Sequence, residues 1–142
     1  MEKKKLCCAL ILFMTSAMSH AEQALPLNEE QNEIAYFLST SIPEKQLAIF
    51  IKSAEEKNIP VYFRGLIGDD MRKTARYIQY MIGKYHISGI QIDPVRYEQF
   101  SVEKVPALVK RCGTHFDIIY GNVSIKQSLE MIEKKGDCRK RQ

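Results

Sequence analysis

Apolar and polar residues along this chain fall into two rhythms. A short continuous apolar run stands at 34–39 (IAYFLS), and 59–65 (IPVYFRG), 105–112 (VPALVKRC) and 114–121 (THFDIIYG) have the length and the β-branched and aromatic content of strands. Between them, apolar residues recur every three or four places, the period of a helix with one buried face. Leu47, Phe50, Ile51 and Ala54 mark such a helix from about Pro43 to Lys57. Met71, Ala75, Ile78, Ile82 and Tyr85 trace the expected inner stripe of a longer one, started by Asp69 or Asp70. GIQIDP at 89–94 reads as a possible short strand halted by Pro94, and VRYEQFSV after it as a helical turn. Ile125, Leu129 and Ile132 define a closing helix over 122–135, stopped by Gly136.

The order is strand, helix, strand, helix, possible strand, hairpin, helix. A βαβ unit makes the first two strands parallel, and the single Gly113 between the last two runs makes those antiparallel. One mixed sheet with helices on both faces follows, so the expected fold is α/β and thioredoxin-like, a βαβ unit and then ββα. The expected plan is a signal peptide over 1–21, a flexible lead-in over 22–33, the thioredoxin-like domain over 34–136 and a basic tail over 137–142.

The signal is read from Lys3, Lys4 and Lys5, the apolar stretch Leu6 to Met14, and small residues Ser19 and Ala21 at signal-peptidase spacing, with the cut between Ala21 and Glu22. Cys7 and Cys8 stand at the wrong end of the apolar stretch for a lipid anchor and leave with it. The stretch falls short of the roughly 18 residues of a bilayer span, and no insertion into a membrane is expected once it is cut. Without Glu2 and the three lysines, the formal charge drops from +4 to +2, which implies no nucleic-acid partner. Arg139, Lys140 and Arg141 read as solvated chain end.

Cys112 and Cys138 remain, an even count in a compartment where disulfides persist, and neither they nor His86 and His115 have metal-ligand spacing. The strand over 114–120, about 23 Å long at ~3.3 Å per residue, is matched by a returning helix of about 20 Å, which brings Cys138 back toward Cys112. A structural bridge is expected, closing a loop of about 26 residues and contributing roughly 3–4 kcal/mol. No cofactor is expected.

In a thioredoxin-type oxidoreductase, the loop from first strand to first helix holds the redox cysteines, with the helix N-terminus stabilising a thiolate. Here that loop is Ser39-Thr40-Ser41-Ile42-Pro43 and has no sulfur. Ser41 and Glu44 fit an S-x-x-E capping box, with Pro43 in the first turn. A nucleophilic serine would need a base that nothing nearby in sequence supplies. Ser124 and Gln127 repeat the capping pattern at the last helix. Val105-Pro106 stands where this topology has a cis proline whose preceding residue can pair its backbone with an extended peptide, while X-Pro bonds in general favour trans; both states stay open. Ser39, Ser41, Val105 and Pro106 would line a peptide or partner groove. Arg64, on the same sheet edge, would pair with Asp69 or Asp93, or meet an acidic partner.

Five motifs in register, FLSTSIPEKQL, Arg64-Gly65, Ile92-Asp93-Pro94, VPALV from Val105 and GNVSI from Gly121, resemble the TrbC family of F-type conjugative pilus assembly proteins over residues 34–135. The resemblance implies a periplasmic, non-enzymatic component of an F-type type IV secretion system. It would be required for conjugative pilus assembly and act through contacts with a TraW-like periplasmic protein and other pilus-assembly components. The lead-in is shorter than in larger relatives. The alternative is a periplasmic thiol–disulfide oxidoreductase or isomerase acting on secreted subunits, which requires Cys112 or Cys138 to be an exposed thiol of low pKa.

Overall fold

The computed structural model describes residues 31–139; the expected signal peptide, most of the lead-in and the last three residues lie outside it. The elements run β1 (Asn32–Leu38), α1 (Glu44–Glu55), β2 (Val61–Phe63), a 3-10 turn (Ile67–Asp69), α2 (Met71–Tyr85), β3 (Ile90–Ile92), α3 (Pro94–Gln99), β4 (Ala107–Cys112), β5 (His115–Tyr120) and α4 (Ile125–Lys135). The five strands form one sheet in the order β3-β2-β1-β4-β5. β1, β2 and β3 are parallel, while β4 runs antiparallel to both β1 and β5. The α/β, thioredoxin-like reading holds: the order β2-β1-β4-β5 is that core, with β3 added outside β2.

Steps from β1 to β2 and from β2 to β3 go the same way across the sheet. Right-handed crossovers therefore put α1 and α2 on one face. β1 alternates accordingly: Tyr36 and Leu38 join the core under α1, α2 and α4, while Ala35 and Phe37 face the other side with Tyr97, Phe100 and Val102. The second side is thinner, closed by the short α3 and an edge-to-face series in which Phe37 meets Tyr97 at 4.9 Å and Phe100 meets Phe116 at 5.2 Å. Tyr97 fixes α3 through its buried hydroxyl, which donates to the Leu38 and Tyr62 carbonyls.

The start of β1 and the facing of α2 depart from the sequence reading. β1 begins at Asn32, before the expected Ile34, because β4 extends far enough to pair Asn32 with Cys112. The stripe assigned as the inner face of α2 is largely outside: Met71 is 62% and Ile82 44% exposed, and Ala75 is exposed. The packed face is instead Thr74, Tyr77, Met81 and Tyr85. Thr74 tolerates burial because its hydroxyl donates to the Asp70 carbonyl and accepts from the Ile67 amide, at 2.8 Å each. Asp70 caps this helix, its side chain accepting from the Lys73 amide.

Cys112 and Cys138 are bridged, with Cα atoms 5.4 Å apart, tying the end of α4 to the β4–β5 hairpin. The hairpin turn is two residues long and has Gly113 at φ 66, the position where a II′ turn takes glycine. The Asp117 carboxylate on β5 accepts from the Asp137 and Cys138 amides at 3.0 and 2.8 Å, holding the chain in place for the bridge. Among the described residues, no helix is long and apolar enough to cross a membrane.

Candidate functional site

β1 and β2 end together because parallel strands do. The register pairs Leu38 with Phe63, and the next step along it sets Ser39 beside Arg64. β4 runs against β1 with Phe37 opposite Ala107, so two further steps bring the Val105-Pro106 segment alongside Ser39. The peptide bond between Val105 and Pro106 is cis. Ser39, Thr40, Phe63, Arg64, Gly65 and Leu66 surround an open pocket of about 240 Å³ at this edge.

The STS segment is a hydrogen-bonded turn. The Ser39 carbonyl accepts from the Ile42 amide at 3.2 Å, its hydroxyl accepts from the Ser41 amide at 3.3 Å, and the two serine hydroxyls are 2.6 Å apart. The expected capping box of Ser41 and Glu44 does not form. α1 starts two residues later than that box requires: Pro43 is the N-cap, its carbonyl takes the first helical bond from Leu47, and no side chain caps the helix. Ser41 therefore precedes the cap by two residues and bonds to Ser39. At α4 the Ser124 hydroxyl does accept from the Gln127 amide, at 3.2 Å, as the pattern there implied.

Glu44 is recruited from across the α1–α2 contact. Its carboxylate accepts from Lys84 at 2.7 Å, Tyr85 at 2.6 Å and Tyr80 at 3.1 Å. These bonds, Lys84 foremost and Tyr85 next, lower the Glu44 carboxyl to about 2 and raise Lys84. The acid also sits in the first turn of α1, where the helix dipole favours a negative charge. The field that would steady a thiolate in a thioredoxin-type oxidoreductase is thus met by a carboxylate of the protein's own. Residues some 40 apart make this cluster, and no local pattern announces it.

Arg64 is exposed and makes no hydrogen bond or ion pair among the described residues, so neither expected internal partner engages it. Asp93 instead caps α3, its side chain accepting from the Arg96 amide at 3.1 Å. Of the residues singled out from sequence, the structure groups Ser39 with Ser41 and Ser39 with Arg64. Val105 and Pro106 are half-buried on the neighbouring strand start and do not line the pocket. Thr40, Phe63 and Leu66 do; the signal that would have found them is their place at the ends of two parallel strands. The disulfide lies at the other end of the sheet, since Cys112 pairs with Asn32 where β1 begins, about 17 Å along β4 from Ala107.

A thioredoxin-like domain with hydroxyls and an exposed guanidinium, and no sulfur, at its strand ends is a thioredoxin-fold protein without the dithiol centre. The chain belongs to the family of type-F conjugative transfer system pilin assembly proteins, TrbC_Ftype, whose model matches residues 36–132. It is 35% identical over 118 residues to the periplasmic protein TrbC of Escherichia coli (strain K12), which covers 83% of this chain and 56% of that protein. The chain thus spans little more than half the length of that relative. Among solved structures it is similar to StoA from Bacillus subtilis, with a TM-score of 0.48, 13% identity and coverage of 72% of this chain and 83% of that one. It is also similar to dsbF of MTB, with a TM-score of 0.48, 16% identity and coverage of 73% and 80%. The fold assignment rests on the strand order and not on these likenesses.

Proposed function

We propose that this protein is a non-catalytic assembly factor of the F-type conjugation apparatus. It works in the periplasm after loss of residues 1–21 and holds another pilus-assembly component, a TraW-like protein, through the strand-end site. The domain over 34–136 is the binding module. The observation that carries this reading is the chemistry of that site. Ser39 and Thr40 offer hydroxyls, Arg64 offers a guanidinium unpaired among the described residues, and the two cysteines are bonded to each other at the far end of the sheet. Thiol–disulfide exchange needs a thiolate within reach of a bound substrate. A planar guanidinium with free donors suits a partner carboxylate, which it can hold with two parallel bonds. The half-buried Val105-Pro106 segment adds a backbone shelf beside it, on which an extended partner strand would lie.

The test is capture of pilus-assembly components by the tagged chain from cells carrying the whole conjugative system, with Arg64→Glu in parallel. Recovery of a TraW-like protein, lost in Arg64→Glu at unchanged thermal stability, is the expected result. Recovery of assorted secreted proteins through mixed disulfides would overturn the reading in favour of a redox enzyme. Thiol labelling without denaturant should be silent in the same preparation.

A further inference from the structure

A second surface lies at the edge of the sheet. β5 is the last strand in the order, and its outer row of N–H and C=O groups has no ladder partner among the described residues. Natural edge strands are usually blunted by outward charge, bulges or a covering element. Along β5 the exposed apolar Tyr120 stands at the end of the strand, and beside the strand runs a groove of about 300 Å³. Ile119, Met131 and Ile132 line the groove with apolar side chains, together with Asp117, whose carboxylate is already occupied by two backbone amides, and Lys134 and Lys135. Met131 is 49% exposed, although an apolar side chain there contributes nothing to the core. The other charges of α4 have partners: Lys126 with Glu130, and Glu133 with Lys110. Lys134 and Lys135 are exposed and make no hydrogen bond or ion pair among the described residues.

We propose that the β5 edge and the adjoining α4 groove receive an extended, acidic segment of a partner protein as a sixth strand. Its backbone pairs with β5, one of its apolar side chains fills the space over Ile119 and Met131, and its carboxylates meet Lys134 and Lys135. Charge selects this occupant over a second copy of the chain. Pairing β5 with its own copy about a two-fold axis would bring both α4 helices to the same seam and oppose their lysines. The surface is separate from the Ser39 and Arg64 site, so the two stand or fall independently.

The experiment selects a phage-displayed library of random peptides, about twelve residues long so that one strand can span β5, on the purified full chain. The best binder is then titrated into isotope-labelled protein. The expected winners alternate apolar residues with Glu or Asp and shift the amides of 115–120 and 131–136. Their Kd should rise about tenfold in the Lys134→Glu/Lys135→Glu variant, whose changes are at exposed positions, and also rise in Met131→Asp. Three outcomes overturn the proposal: no enriched acidic peptide, binders whose shifts fall at Ser39 and Arg64, or β5 amides protected by concentration-dependent self-association, which would make the occupant a second copy.

Discussion

Gly136 ends α4 for a reason other than backbone freedom. Its φ of −77° is open to any residue, but a Cβ there would stand 2.5 Å from the Asp117 Oδ2 atom and 2.8 Å from its Cγ. Asp117 cannot yield cheaply, because the same carboxylate orders the Asp137 and Cys138 amides. Gly136→Ala should therefore destabilise the fold by about 1–3 kcal/mol through the lost carboxylate bonds, with Asp117→Ala shifting urea unfolding in the same direction. Glu44 gives a pH signature. Its folded pKa of about 2 lies below the ordinary 4.5, so its contribution is complete above the ordinary value and is lost as pH falls through the folded one. The acid limb of stability between about 4.5 and about 2 should flatten in Glu44→Gln, and a carboxyl titration followed by NMR should find Glu44 at the bottom of that window. Both side chains of the Glu44–Lys84 pair are open to water, 35% and 47% exposed, so added salt should weaken the effect.

Helices were found from their spacing, but their facing was not always legible. α1 buries Leu47, Phe50, Ile51 and Ala54, as the periodicity says, because that helix packs on the middle of the sheet and its apolar count decides its rotation. α2 packs over the short β2 and β3 and against α1, where other bonds decide. Thr74 is drawn inward by the turn it closes, and Tyr85 by the Glu44 carboxylate, rotating Met71 and Ile82 toward solvent. Met81→Ala should accordingly cost about 2–5 kcal/mol, whereas Ile82→Gln should stay within about 0.5 kcal/mol, both read from thermal unfolding. If the two costs came out reversed, the facing of α2 described above would be wrong. The Ser41–Glu44 pattern misled for a similar reason, since a motif of four residues carries no information about partners 40 positions away.

At the scale of the molecule, the mixed sheet, with its first two strands parallel and its last two antiparallel, was legible from run lengths and connections, since a crossover and a tight hairpin leave few arrangements; the place of β3 outside β2 was not. The bridge between Cys112 and Cys138 was legible too, because matched strand and helix lengths return the chain to its starting end. The pocket was only half legible: register sets Ser39 beside Arg64, but which residues wall it depends on how the loops fold over the strand ends. Removing the bridge in Cys112→Ala/Cys138→Ala should lower stability by roughly 3–4 kcal/mol, the entropy of its closed loop. Capture of assembly partners should persist at temperatures where the variant is folded. The clasp is at one pole of the sheet and Arg64 at the other, so under the proposed function oxidants in the surroundings would govern how long a copy survives and leave what it recognises unchanged. A copy that never gained its bridge is a shorter-lived version of the same part.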